Sequence, residues 1–147
     1  MVRFDELWKN HPGKGSHPCN IALFPNQCAI RMSEALHKSG VDLMSFKGVK
    51  CWEKHKDGFK HILRAQELAD WIYMHPEIFG NRLKLERKKY PKMGNKSFKN
   101  GKGIIFIKDG WSGGTDHIDI WNGISLKGGD ALDYLWRGTE IWFWALI

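Results

Sequence analysis

Two side chains in this sequence are set for chemistry. Cys28 lies in Pro25-Asn26-Gln27-Cys28-Ala29-Ile30-Arg31-Met32-Ser33, and about ninety residues later His117 opens His117-Ile118-Asp119-Ile120-Trp121. Pro25 and Asn26 read as a turn and N-cap, so Gln27 and Cys28 are the first helical residues expected. Behind them Cys28/Ala29, Met32 and Ala35/Leu36 recur at helical spacing, and Ser39-Gly40 is a stop signal. A thiol in that first turn faces unpaired backbone N–H groups at the positive end of the helix dipole, a setting that favours thiolate. The same N–H groups could serve as an oxyanion hole. His117 alternates with Asp119 on one face of a strand, with Ile118 and Ile120 on the other. A helix-borne thiol and a strand-borne imidazole are the two halves of a thiol hydrolase, distant in sequence and adjacent in the fold. The competing reading makes Cys28 a small buried hydrophobe and His117 a satisfied core residue.

A third group should accept the other N–H of the imidazole. Asp119 and Asp130 are the candidates. Asp119 shares the face of His117, but its Cβ is about 6–7 Å away by strand rise, which suits a flanking role. Asp130 lies thirteen residues after His117, past the Asn122-Gly123 turn. The remaining histidines read as surface residues, His11, His17 and His55 in loops and His37, His61 and His75 near helix ends. Trp111, in Gly110-Trp111-Ser112-Gly113-Gly114, either lines a substrate groove or packs down on the sheet, and Gln27 is a second candidate substrate contact. No metal or other cofactor is expected. Asp116, His117 and Asp119 would need a fourth ligand from elsewhere, and Cys19, Cys28 and Cys51 contain no CxxC pair. Cys19 and Cys51 could pair in an oxidising compartment, closing a loop of about thirty residues worth roughly 3–4 kcal/mol. Two free thiols are the other possibility.

The elements that must position these groups follow from periodicity. A short helix is predicted from Phe4 to Trp8, then a loop through His11-Pro12-Gly13-Lys14-Gly15. The nucleophile helix runs from about Gln27 to Lys38, and residues 41 to 59 read as irregular. Ile62, Ala65, Leu68/Ala69 and Ile72 predict a second helix over Lys60–Met74, ended by Pro76. A basic stretch with one helical turn fills 84–103. Strands are expected at 103–108, without alternation and so buried on both faces, at 115–121, and at 140–147. A helical turn is expected over Asp130–Trp136. Helices first and antiparallel strands last make an α+β pattern.

Length and composition bound the rest. The 147 residues suit one domain, 1–147, able to bury a core without staples. No stretch approaches the ~20 apolar residues of a membrane span. The N-terminus has no basic stretch followed by an apolar run, so a cytoplasmic protein is expected on that ground. The net charge of +7 concentrates between Arg82 and Lys102, with nine basic residues against Glu86 alone. Such a segment is a solvated loop, a surface for an anionic polymer or acidic protein, or a nucleic-acid surface. Nucleic acid ranks last, because no recognisable motif frames Tyr90 and Phe98.

Asn26 to Leu36 with Lys38-Ser39-Gly40 resembles the nucleophile helix of the type VI secretion amidase effectors, in particular the fourth family. The Cys51-Trp52 region, His61 to Trp71, and His117-Ile118-Asp119-Ile120-Trp121-Asn122-Gly123 fit the same pattern, in register from about residue 5 to the C-terminus. The resemblance implies a papain-like fold, with the nucleophile helix packed on a small antiparallel sheet. It implies a cysteine amidase (DL-endopeptidase) acting on peptidoglycan stem peptides at the γ-D-glutamyl–meso-diaminopimelate bond. It further implies delivery by the type VI machinery to the periplasm of a rival, export without a usual signal, and a cognate immunity protein, for which the charge suggests an acidic surface. In that family the triad carboxylate falls at a distance after the histidine similar to that of Asp130, so Asp130 is the expected third member, with Asp119 in reserve. The alternative function is a small basic binding domain for nucleic acid or an acidic protein, with Cys28 inert.

Overall fold

A computed structural model describes residues 1–147. Five helices precede and interleave four strands: α1 (Phe4–Asn10), α2 (Cys28–Lys38), α3 (Ala65–Tyr73), α4 (Pro76–Phe79), β1 (Leu83–Glu86), β2 (Gly103–Trp111), β3 (Thr115–Trp121), α5 (Ala131–Tyr134) and β4 (Glu140–Ala145). The strands form one antiparallel sheet in the order β1-β4-β2-β3, which leaves β3, the strand of His117, at an edge. This is the expected α+β architecture.

Strand period decides what each face buries. Ile104, Phe106, Ile118, Ile120, Trp142 and Trp144 point into a core shared with Leu7 of α1, Met32 and Leu36 of α2, and Leu68 and Ile72 of α3. Ile105, Ile107, Trp121, Ile141 and Phe143 point the other way, under Met93, Phe98, Leu126 and Leu135. Both faces of β2 are therefore dry from Gly103 to Ile107, which explains its unbroken apolar run. Each such Ile contributes about 1.5–3 kcal/mol of burial. Gly40, at φ +82°, ends α2 in the left-handed conformation that a side chain disfavours.

Three boundaries differ from expectation. The second helix starts at Ala65, not Lys60, because residues 60–64 are extended and pair with the preceding loop: Lys50 bridges Ile62, and the Cys51 N–H donates to the His61 carbonyl at 2.8 Å. Pro76 does not only end α3; it occupies the first turn of α4, where its missing N–H costs nothing. Within the basic segment, Leu83–Glu86 is a short strand on β4, too brief to show a period. Arg87, just after it, donates to the carbonyls of Gly138 at 2.7 Å, Arg137 at 2.7 Å and Met93 at 2.8 Å. Part of the basic segment is thus structural, while Lys88, Lys89, Lys92, Lys96 and Lys99 are exposed. No helix is long and apolar enough to cross a membrane.

Candidate active site

Cys28 is the first residue of α2, with Gln27 as N-cap. The boundary lies one residue later than the sequence suggests; Asn26 still reaches over it, its Oδ1 accepting from the Cys28 N–H at a long 3.4 Å. The apolar face of α2 packs on the sheet and holds the helix, and Arg31 ties its flank to the preceding loop by donating to the carbonyls of Ser16 at 2.9 Å and Lys14 at 2.8 Å. Since β3 is the edge strand, no further strand separates it from this first turn. Cys28 Sγ donates to the Asp116 carbonyl oxygen at 3.8 Å, which sets the thiol against β3 next to His117.

His117 Nε2 is 2.7 Å from Asp119 Oδ2, and both side chains are buried. With Nε2 taken by the carboxylate, Nδ1 is the nitrogen left for the thiol. Asp119 is fully buried and fully satisfied: Oδ1 accepts from the N–H groups of Ile120 at 2.8 Å and Gly128 at 2.9 Å. Burial alone would raise its pKa, but the His117 hydrogen bond and charge, with the Ile120 N–H, hold it below the usual carboxylate value. Burial likewise pulls His117 down, yet Asp119 and Cys28 outweigh it and push its pKa up to about 10. The imidazole is therefore cationic across the neutral range.

A second histidine backs the carboxylate. His11, at the end of α1, is buried with Nε2 3.7 Å from Asp119 Oδ1. Its Nδ1 accepts from the Gly13 N–H at 3.1 Å, and burial lowers its pKa to about 4, so it is neutral and turns its Nε2–H toward Asp119. The Gly128-Gly129 pair lets the neighbouring loop close on this network. A Cβ at Gly129 would stand 2.4 Å from the Tyr134 ring and 3.1 Å from His117 Nε2.

Beside the pair opens a cleft of about 390 Å³ lined by Pro25, Asn26, Trp111, Thr115, Asp116, His117 and Tyr134. Tyr134 meets His117 edge-on at 4.8 Å between ring centroids and Trp111 at 5.0 Å. A second depression of about 370 Å³, lined in part by Arg64, Gln66 and Gly114, shares Asn26, Thr115 and Asp116 with the first. The two depressions meet at these residues, and Cys28, itself buried, lies against two of them, Asn26 and Asp116. A larger depression of about 470 Å³ lies elsewhere, around His37, Met44 and Phe59, and its lining offers no thiol or hydroxyl.

Several expectations need correction. Asp130 is exposed and is the N-cap of α5, its carboxylate accepting from the Leu132 N–H at 3.0 Å; Asp119 is the partner of His117. The Cβ separation misleads because side chains lean along a strand, and the length of the imidazole closes the gap. Gln27 is buried, and its amide nitrogen donates to the carbonyls of Phe24 at 2.7 Å and Cys19 at 3.1 Å. It fixes the loop before α2 and is not free to meet a substrate. His11 and His61 are buried and His55 is half-buried, so three histidines assigned to the surface are packed. Cys19 and Cys51 are free thiols. Tyr134 and His11 escape sequence reasoning altogether, the first lying in a single helical turn and the second in a Gly- and Pro-rich loop.

Comparison with known proteins places the fold. Residues 24–144 match the family model for type VI secretion system (T6SS) amidase effector protein 4, Tae4. The effector Tae4 from Salmonella typhimurium, solved in complex with the immunity protein Tai4 from Enterobacter cloacae, superposes with a TM-score of 0.75 at 22% identity, covering 100% of both chains. Tae4 from Enterobacter cloacae gives 0.75 at 20% identity over 100% of this chain and 98% of that one. The Tae4–Tai4 complex from Salmonella Typhimurium gives 0.77 at 22%, over 100% and 99%. No curated protein matches the chain. A papain-like fold, a thiol at a helix start beside a carboxylate-held imidazole, and a family model spanning nearly the whole sequence lead to one assignment: the chain belongs to the Tae4 family and is a peptidoglycan amidase effector of type VI secretion.

Proposed function

We propose that Cys28, His117 and Asp119 cut the γ-D-glutamyl–meso-diaminopimelate amide of peptidoglycan stem peptides, in the periplasm of a rival cell, with the whole chain acting as one catalytic unit. The observation that carries this reading is the buried His117–Asp119 pair with Cys28 held against the adjoining Asp116, beside the junction of two open depressions. Sγ attacks the amide carbonyl carbon while His117 holds the thiol proton on Nδ1. The first-turn N–H groups of α2 receive the charge that develops on oxygen. His117 passes the proton to the leaving nitrogen, the C–N bond breaks, and a thioester joins substrate to Cys28. Water then attacks the thioester, giving its proton to His117, and the product carboxylate leaves as the thiol re-forms. Asp119 keeps Nε2 protonated throughout and fixes the ring. Trp111 and Tyr134 wall one arm of the groove, and Arg64 offers a cation to stem carboxylates in the other.

The Salmonella and Enterobacter relatives were solved with Tai4 immunity proteins; a comparable antidote for this chain would cover the depressions beside Cys28, and the +7 charge suits an acidic partner surface. The test is digestion of purified sacculi with mass analysis of the released muropeptides. New N-terminal diaminopimelate with wild type, and none with Cys28→Ala, is the expected result. Cleavage at another amide would move the bond assignment and leave the nucleophile in place.

A further inference from the structure

Away from the groove, four ligand-type side chains converge that the hydrolytic site does not use. Cys19 Sγ lies 3.3 Å from His61 Nδ1 and 3.6 Å from His55 Nε2. Cys51 Sγ lies 3.9 Å from His61 Nδ1 and 3.7 Å from His55 Nε2. All four donor atoms fall within 4.8 Å of one another, and three of the four residues are buried. With Zn–S near 2.3 Å and Zn–N near 2.0–2.1 Å, the sulfur-to-nitrogen edge of a tetrahedron is about 3.6 Å. The four observed edges scatter around that value.

We propose that Cys19, Cys51, His55 and His61 form a structural Zn²⁺ site. Two thiolates and two neutral imidazoles balance the charge of the ion, and two soft and two borderline donors in a tetrahedron suit zinc above hard cations. Four protein ligands close the coordination sphere, so the ion holds structure and activates no water. The surrounding groups are those a metal site needs. His61 Nε2 is 2.5 Å from Glu34 Oε2. A carboxylate there accepts a hydrogen bond from the Nε2–H and so keeps the Nδ1 lone pair facing the sulfurs, the tautomer that ligation demands. The His61 backbone N–H donates to Cys51 Sγ at 3.2 Å. Binding displaces the two thiol protons to solvent.

The placement gives the ion a purpose. Cys19 belongs to the loop that leads into α2, the other three ligands to the irregular segment between α2 and α3, and Glu34 to α2 itself. Those two connections contain almost no helix or strand, and this cluster is where they meet each other. The Cys19 carbonyl is bonded by Gln27, immediately before the nucleophile. One ion would therefore staple both connections to the helix that carries Cys28.

Full-length protein purified under reducing, chelator-free conditions should contain one zinc per chain by elemental analysis. Cobalt exchanged into the wild type should give intense visible ligand-field bands and a near-ultraviolet thiolate-to-cobalt charge-transfer band. Cys51→Ser should abolish both, and Glu34→Gln should weaken zinc binding by roughly 10- to 100-fold with all four ligands intact. Cys28→Ala should retain the metal and both cobalt signatures while losing hydrolysis, which separates this site from the reading of the groove. Wild-type protein with free thiols, no stoichiometric zinc and a featureless cobalt spectrum overturns the proposal even if no variant folds. A Cys19–Cys51 disulfide in protein recovered from the periplasm overturns it as well.

Discussion

Replacing Asp119 by Asn tests the hydrolytic network at its most constrained point. The two backbone N–H groups on Oδ1, from Ile120 at 2.8 Å and Gly128 at 2.9 Å, require an acceptor there. An asparagine must therefore put its carbonyl oxygen at Oδ1 and its NH₂ at the Oδ2 position, 2.7 Å from His117 Nε2. Nε2 would then accept, which forces the remaining ring proton onto Nδ1, the nitrogen that must take the thiol proton. The variant keeps shape and packing but holds the wrong tautomer, and it removes the negative charge that keeps the imidazole cationic. Losses of this kind run to roughly 10³–10⁴ in rate, or about 4–5 kcal/mol of barrier. Amine release from a synthetic D-glutamyl–diaminopimelate stem peptide would measure kcat/KM. Asp130→Ala is the control: it should cost about 1 kcal/mol of stability as a lost N-cap and leave kcat/KM nearly unchanged. An Asp119→Asn enzyme within tenfold of wild type, or an Asp130→Ala enzyme as impaired, would refute the assignment of the carboxylate.

Cys28→Ala should abolish hydrolysis with an unchanged circular dichroism spectrum, and a haloacetamide should label Cys28 far faster than Cys19 or Cys51, each only 1% exposed. Gly129→Ala should lower kcat by crowding Tyr134 and His117, at an overpacking cost of about 1–3 kcal/mol in a thermal melt. The pKa of His117, near 10 in the fold against 6.5 ordinarily, means its pairing favours the folded state fully below pH 6.5 and ceases to do so as pH rises through about 10. Thermal midpoints should accordingly fall across that window in wild type and stay flatter in His117→Gln; Asp119, with its lowered pKa, contributes in the opposite sense and loses its share on acidification. Association with an immunity protein should slow between low and physiological salt, and again on charge reversal at Lys88 and Lys89; a salt-independent on-rate would remove the exposed lysines from recognition.

What was legible in the sequence had a local cause. The start of α2, the β2 and β3 strands and the Cys28/His117 pair follow from capping, periodicity and side-chain alternation, all of which act within a few residues. What was missed depends on tertiary geometry. Asp130 is preferred to Asp119 on the spacing that the family resemblance implies and on a strand rise counted without side-chain lean. His11 carries no signal at its position in a loop; it matters because the end of α1 happens to meet the carboxylate from behind. The strand Leu83–Glu86 is four residues long and mostly exposed, and it exists because β4 supplies a partner. The Cys19–Cys51 cluster escaped because a search for CxxC assumes that paired ligands are neighbours, whereas here one ligand comes from before α2 and the other three are spread over the segment after it.

The chain holds two cysteine–histidine–carboxylate arrangements, and their surroundings assign them different work. Cys19, His61 and Glu34 have the contacts of a triad, at 3.3 Å and 2.5 Å, yet a nucleophile needs room for a carbonyl carbon. Cys19 is 1% exposed against 6% for Cys28, and its neighbours line no depression next to it as Asn26 and Asp116 do for Cys28. It also has a second thiol and a second imidazole pressed against it, which is what a metal ion requires and what an attacking sulfur does not. Cys28 has one imidazole, the N–H groups of a helix start, and two depressions that meet at its neighbours Asn26 and Asp116. The same three residue types thus yield a closed tetrahedron in one place and an open nucleophile in the other, and access to the sulfur is the variable that separates them.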